Sequence, residues 1–235
     1  MDSPLASLLD LFATPGNRQM LWLTARVALA GTLLHALSGL ALGYALARPG
    51  WRGRNLLDIA VTLPLVFPPM ATGFLLLLLL GRRGPLGEVL QQWFGIAPVF
   101  AFSGLLIAAF VAGLPLVVKP VQAAFESLPK ILPEAARTLG KNEWQIFCYV
   151  LLPNIRNALA GGLILALGRS LGEVGMTMML GGNIEGRTVT ASLDIYNAVT
   201  SGDFERAAAV SLLLGLISSG LFFLLRRNAR APLGW

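Results

Sequence analysis

Charge is scarce in this chain: 13% of its 235 residues are Asp, Glu, Lys or Arg, against 55% that are hydrophobic. That balance excludes an ordinary soluble domain, which needs a much larger polar surface. Reactive side chains are scarcer still. With one cysteine, Cys148, and one histidine, His35, an intrachain disulfide is excluded and catalytic triads or metal-binding clusters have no support. No Gly-x-x-x-x-Gly-Lys-Ser/Thr phosphate loop occurs either; Gly140-Lys141 has Ala135 where the first glycine belongs and no hydroxyl after it. The chain is therefore read as no enzyme, with no catalytic, cofactor-binding or metal-binding residues. The first residues also lack the basic start and small-residue cleavage site of a signal peptide. Their apolar piece, residues 5–12, is too short to span a bilayer and reads as an interfacial helix.

What is abundant is apolar sequence, with a mean hydropathy of +0.70 and several runs that reach the roughly 20 residues a bilayer crossing needs. The expected architecture is all-α: a single polytopic helical membrane domain over residues 1–235, with about five spans near 20–47, 56–80, 99–118, 144–180 and 207–225. A sixth crossing would need the N-terminal piece to insert. In the first span, Arg26 can snorkel to an interface, and His35 reads as a packed, hydrogen-bonded residue. The second carries Pro64, Pro68 and Pro69, so a kink or break is expected there. Pro68, Pro69 and Thr72 then fall in a segment that either lines a solute pathway or only bends for packing. Basic residues set the orientation. Arg48, Arg52, Arg54, Lys119, Lys130, Arg137, Lys141, Arg156, Arg226, Arg227 and Arg230 fall on one side, against Arg18, Arg82, Arg83, Arg187 and Arg206 on the other. The positive-inside rule places the N-terminus outside and the C-terminus in the cytoplasm.

Between the third and fourth spans lies a polar loop, about residues 119–143, that carries its own punctuation. Pro133 suits a first helical position, Glu134 complements the helix dipole, and Gly140 can take the left-handed conformation that ends a helix. Asn142 and Gln145 fit a capping box at the start of the next span. Glu134-Ala135-Ala136, Gly140, Val150 and Leu152-Pro153 resemble the cytoplasmic loop of ABC-importer permeases, which has Ile where this chain has Val150. The resemblance implies a coupling helix that docks into a cleft on a separate ATPase subunit.

Within the fourth span, Arg169 and Glu173 are four residues apart in an apolar run. Opposite charges at that spacing share a helix face and belong in a wet interior or in an ion pair. Two readings stay open: a pathway lining in which Arg169 attracts an anion, and a structural pair that fixes packing. Together with Leu63-Pro64-Leu65-Val66-Phe67-Pro68-Pro69, Gly81-Arg82-Arg83-Gly84 and Trp93-Phe94-Gly95-Ile96, the segment Arg169-Ser170-Leu171-Gly172-Glu173 resembles the permease subunit of molybdate importers, of the type I ABC-importer fold. Tungstate and sulfate permeases share part of this pattern and stand as the alternative; an ATP-independent secondary transporter is the more distant one. The resemblance implies a homodimer in the cytoplasmic membrane, two cytoplasmic ATPases that hold ATP and Mg, and a periplasmic or surface-tethered molybdate-binding protein. It further implies a pathway in which a tetrahedral dianion meets the hydroxyls of Thr72, Ser170 and Thr177 and the charge of Arg169. Nucleic acid is not an expected partner, because the basic residues sit at span ends and form no stripe.

Overall fold

The protein is described by a computed structural model covering residues 14–229, with side chains through Phe223. The interfacial-helix reading of residues 5–12, the side chains of Arg226 and Arg227, and Arg230 lie outside the described residues. Among the described residues ten helices follow in order: α1 Pro15–Ala47, α2 Arg54–Val66, α3 Pro69–Leu80, α4 Pro85–Phe94, α5 Phe102–Ser127, α6 Ile131–Thr138, α7 Glu143–Leu171, α8 Gly175–Gly181, α9 Ala191–Ser201 and α10 Phe204–Ala229. Among the described residues, α1, α5, α7 and α10 are each long and apolar enough to cross a membrane alone. The second expected span is two shorter helices, α2 and α3, that break at Phe67 and Pro68. Proline's missing donor and its steric demand on the residue before it account for that break.

Three expected boundaries are corrected. The third span does not stop near residue 118: α5 continues to Ser127, and Lys119 is held within it by an ion pair with Asp58 of α2. The polar loop therefore starts near residue 128. The fourth span does not run on to residue 180, because α7 ends at Leu171 and the chain leaves helical geometry at 172–174 before α8 begins. Glu173 thus lies just past the helix whose face it was expected to share. The short helix of the loop begins at Ile131, two residues before Pro133. At Leu152-Pro153, where a bend is expected, the chain instead forms a π-helical turn over Phe147–Leu151. The wider turn accommodates a proline that cannot donate to the preceding carbonyls.

The core is a three-helix arrangement with α5 at its centre. Gly31 faces Ala109, Gly39 faces Val117 and Gly43 faces Val121, a constant offset that makes α1 and α5 parallel. Gly162 of α7 lies over Leu116 and Val117, and Ala166 lies beside Gly113, so α7 runs antiparallel to α5. In a bilayer there is little hydrophobic drive between helices, and close backbone packing across small residues replaces it. His35 fills the one wide gap in that stripe: it is 1% exposed, stacks on Phe110 and shares a 2.9 Å hydrogen bond with the Phe110 carbonyl. A Cβ at Gly43 would come within 2.9 Å of Val121 Cβ and 3.2 Å of the Gln122 nitrogen. Gly43→Leu should therefore pry α1 from α5, and overpacking of this kind costs about 1–3 kcal/mol. The expected result is a lowered melting temperature in detergent, with Gly161→Leu, where a Cβ meets nothing, as the control that leaves it unchanged.

Two opposite ends follow from this packing. At one, Tyr44 of α1, Phe125 of α5 and Phe147 of α7 meet beside α6. At the other, Met20 of α1 packs with Ala191 of α9 and Ala209 and Val210 of α10.

Candidate functional site

The loop after α5 is a rigid object. Glu134 occupies the first turn of α6 and Arg137 the last, both signs matched to the helix dipole. The Gly140 amide bonds the Arg137 carbonyl at 2.9 Å, and the Lys141 amide bonds the Ala136 carbonyl at 3.1 Å. That pair of bonds is a Schellman closure, and it requires the left-handed conformation that Gly140 adopts at φ 76°. Asn142 and Gln145 form the expected capping box, with the Gln145 amide donating to Asn142 Oδ1 at 2.8 Å. Across the gap, Arg137 Nε and Nη2 donate to the two Glu143 oxygens at 2.7 and 3.2 Å. That hydrogen bond, more than the charge alone, holds the Glu143 carboxyl below its usual range and raises Arg137. A depressed carboxyl contributes fully above its unfolded value and is lost as pH falls through the folded one, so the clasp is closed at neutral pH.

Only Ala136 of α6 is buried; Glu134 and Ala135 are exposed, and Gly140 has open space around it. Around them Ile131, Leu139, Trp144 and Tyr149 present apolar surface, with Leu139 79% and Tyr149 76% exposed. An apolar patch on a polar, capped loop is the mark of a docking surface. Behind it, Trp144 stacks on Phe147, which packs edge-on against Tyr44, and Tyr44 packs on Phe125. Leu152 packs into the same cluster. This aromatic chain joins the start of α7, directly after the loop, to the ends of α1 and α5.

The second group of predicted residues lies at the two helix breaks, and the fold brings the breaks together. A Cβ at Gly175 would lie 3.1 Å from the Met70 nitrogen and 3.3 Å from the Pro69 carbonyl carbon; one at Gly73 would lie 2.8 Å from Met176 Cα. Pro68 and Pro69 therefore abut the start of α8. Glu173 is 2% exposed and fully engaged. One carboxylate oxygen accepts the Met176 amide at 2.8 Å, capping α8, and the other pairs with Arg169. Its backbone carbonyl accepts the Ser192 hydroxyl at 3.0 Å. Arg169 is a third exposed and borders a groove of about 620 Å³ between α7 and α10.

The three hydroxyls are placed differently. Thr72 donates to the Pro68 carbonyl at 3.2 Å and Ser170 to the Ala109 carbonyl at 2.9 Å, each securing a backbone. Ser170 and Thr177 border, with Glu173, a cavity of about 10 Å³. That volume is near the lower limit for one water molecule and far below an oxyanion. Sequence reasoning missed the residues that wire this region to its neighbours: Thr24, which accepts the Ala191 amide at 2.9 Å, and Ser192 and Thr190 beside it. Isolated hydroxyls carry no spacing signal. It also missed Asp194, whose bidentate pair with Arg206 at 2.9 and 3.0 Å ties α9 to α10.

Residues 39–231 match the family described as "Binding-protein-dependent transport system inner membrane component". The molybdenum transport system permease protein ModB of Escherichia coli K12 is 36% identical over 95% of this chain and 100% of its own length. The sulfate transport system permease protein CysT of the same organism is 34% identical over 83% of this chain and 70% of its own. Among solved structures, a bacterial ABC transporter that imports alginate superposes with a TM-score of 0.75 at 18% identity, over 97% of this chain and 84% of that one. The MetNI methionine ABC transporter does so at 0.68 and 20%, over 98% and 99%. These likenesses establish the helical ABC-importer permease fold of type I.

Proposed function

This chain belongs to the family of binding-protein-dependent transport system inner membrane components, and we propose that it is the membrane subunit through which an ATP-driven importer carries molybdate into the cytoplasm. Two copies form the pathway. Two cytoplasmic ATPases, holding ATP and Mg, dock on Glu134, Ala135, Ala136 and Gly140, and a periplasmic or surface-tethered binding protein delivers the oxyanion at the far end. The N-terminus is then outside and the C-terminus cytoplasmic, which agrees with the basic residues around the loop. The observation that carries this reading is the loop itself: a capped, clasped helix with an exposed apolar rim, followed directly by the long span α7, which carries Leu152 and Pro153 in its first turns. ATPase closure would move it as a rigid lever and switch the open side. Arg169, on its groove, supplies the positive potential a dianion needs without the tight grip that would trap it.

The 34% identity to a sulfate permease supports a second reading, sulfate or tungstate as cargo. Proteoliposomes holding the complete complex, with labelled molybdate and unlabelled competitors, separate the two. Molybdate uptake should need ATP and the binding protein and should be competed by tungstate more than by sulfate. Sulfate competing as well as molybdate itself would transfer the assignment; uptake without any ATPase would remove it.

A further inference from the structure

One face of α1 is built like an amphiphile. Arg18, Trp22 and Arg26 follow one another at one-turn spacing, and Leu29, Leu33 and Leu37 continue on the same side of the helix. All six are exposed, Trp22 and Leu29 by 66% and Leu37 by 72%. Arg26 lies well inside the helix, with its guanidinium carbon 4.9 Å from the centre of the Phe102 ring of α5. Among the described residues no carboxylate pairs with Arg18, Arg26 or Arg187. Beside Trp22 and Arg26 opens a cavity of about 1080 Å³, bounded across from α1 by the 183–187 loop and by Arg187. The loop is fixed over α1 by a 2.6 Å bond from Gln19 to the Gly186 carbonyl and braced by the Asn183–Asn197 amide pair. Of the two acidic residues that line it among the described residues, Asp194 is taken by Arg206 and Glu185 lies on the rim.

A cation left without an acid at membrane depth is costly unless something in the bilayer answers it. We propose that this cavity and the face below it hold an anionic glycerophospholipid, its phosphate against Arg26 and Arg187 and one acyl chain along Leu29, Leu33 and Leu37. The dimensions agree. From Arg26 to Leu37 the helix rises about 16 Å, close to the roughly 15 Å of hydrocarbon in one leaflet. The cation over Phe102 is stacked and directional, and the neighbouring Trp22 suits the headgroup level. Held there, the lipid bridges the start of α1 to the loop that precedes α9, and so steadies the end of the molecule opposite α6. The inference rests on the chain being a membrane protein and not on which solute it carries.

The test is native mass spectrometry of the complete transporter taken from bilayers of equal phosphatidylglycerol and phosphatidylethanolamine. Phosphatidylglycerol should be retained preferentially. Arg26→Gln should weaken that retention about fivefold, the effect of one arginine near a charged headgroup, and Arg26→Lys should restore most of it. If Arg26→Gln does not assemble, Arg187→Gln on the loop carries the same expectation. A photo-crosslinker at Leu33 should label lipid. Equal retention of the two lipids, unchanged retention in both glutamine variants, or crosslinking of Leu33 to a second copy of the chain would each overturn the proposal. Normal lipid retention with no oxyanion uptake would instead strike the transport reading alone.

Discussion

Gly140→Val should abolish most ATP-driven uptake while the protein still inserts and assembles in the membrane. The argument is conformational and not steric. At φ 76° a valine side chain is strained wherever the space lies, and here the space is open. Holding an L-residue in the left-handed region costs roughly 1–2 kcal/mol, and a β-branched one sits at the upper end. The loop escapes that strain by opening the Schellman closure, releasing the Arg137 and Ala136 carbonyls and with them the seat of α6. A difference of that size shifts the fraction of correctly closed loops by about 5–30-fold. Spans α1, α5 and α7 are untouched, because the aromatic cluster behind the loop does not include Gly140. Gly140→Asn is the discriminating control, since asparagine visits the left-handed region more readily and should keep a substantial part of transport. ATP-dependent uptake, membrane yield and pulldown of the ATPase are the three readouts. Uptake at the original rate in the valine variant would mean that the loop's exact shape does not matter.

Much of this was legible in the sequence, and the reason differs from element to element. The shape of the loop after α5 could be read because its instructions are local: Glu134 in a first turn, Gly140 past a last turn and Asn142 three residues before Gln145 each specify a backbone state within a few residues. The break before α3 was legible for the same reason, since proline acts on its own turn. What could not be read was anything decided between helices. Lys119 looks like a span end in a list of residues, and only the approach of Asp58 from α2 shows why α5 passes it without stopping. Arg169 and Glu173 have helical spacing, yet the chain leaves the helix between them. The start of α8 needs a cap, and Glu173 supplies it. Neither a hydropathy run nor a motif contains that information. The hydroxyls of Thr72 and Ser170 are candidates for a solute by chemical type, and nothing in the sequence signals that each already donates to a backbone carbonyl.

That second site also makes the sharper test of which role Arg169 has. Glu173→Ala should be the most damaging single change in the membrane region. It removes the partner of Arg169 and the acceptor of the buried Met176 amide together; the unsatisfied amide alone costs about 1–3 kcal/mol, and the unpaired guanidinium, a third exposed, adds to it. The stranded guanidinium stands at the break where Gly175 rests on Met70 and Pro69, so the join between α3 and α8 should loosen with it. The expected result is low yield and a lowered melting temperature in detergent. Replacing both partners, Arg169→Met with Glu173→Met, removes the uncompensated charge but not the lost cap on the Met176 amide, and should recover the part of the stability that the stranded charge cost. Transport then separates the two open readings. If the pair only fixes packing, the double variant should carry oxyanion at close to the original rate. If Arg169 on its groove supplies the potential that draws the dianion in, the double variant should be well folded, should bind its ATPase, and should move almost none. The transport reading proposed here expects the second outcome; full uptake by the stable double variant would reassign Arg169 to the framework.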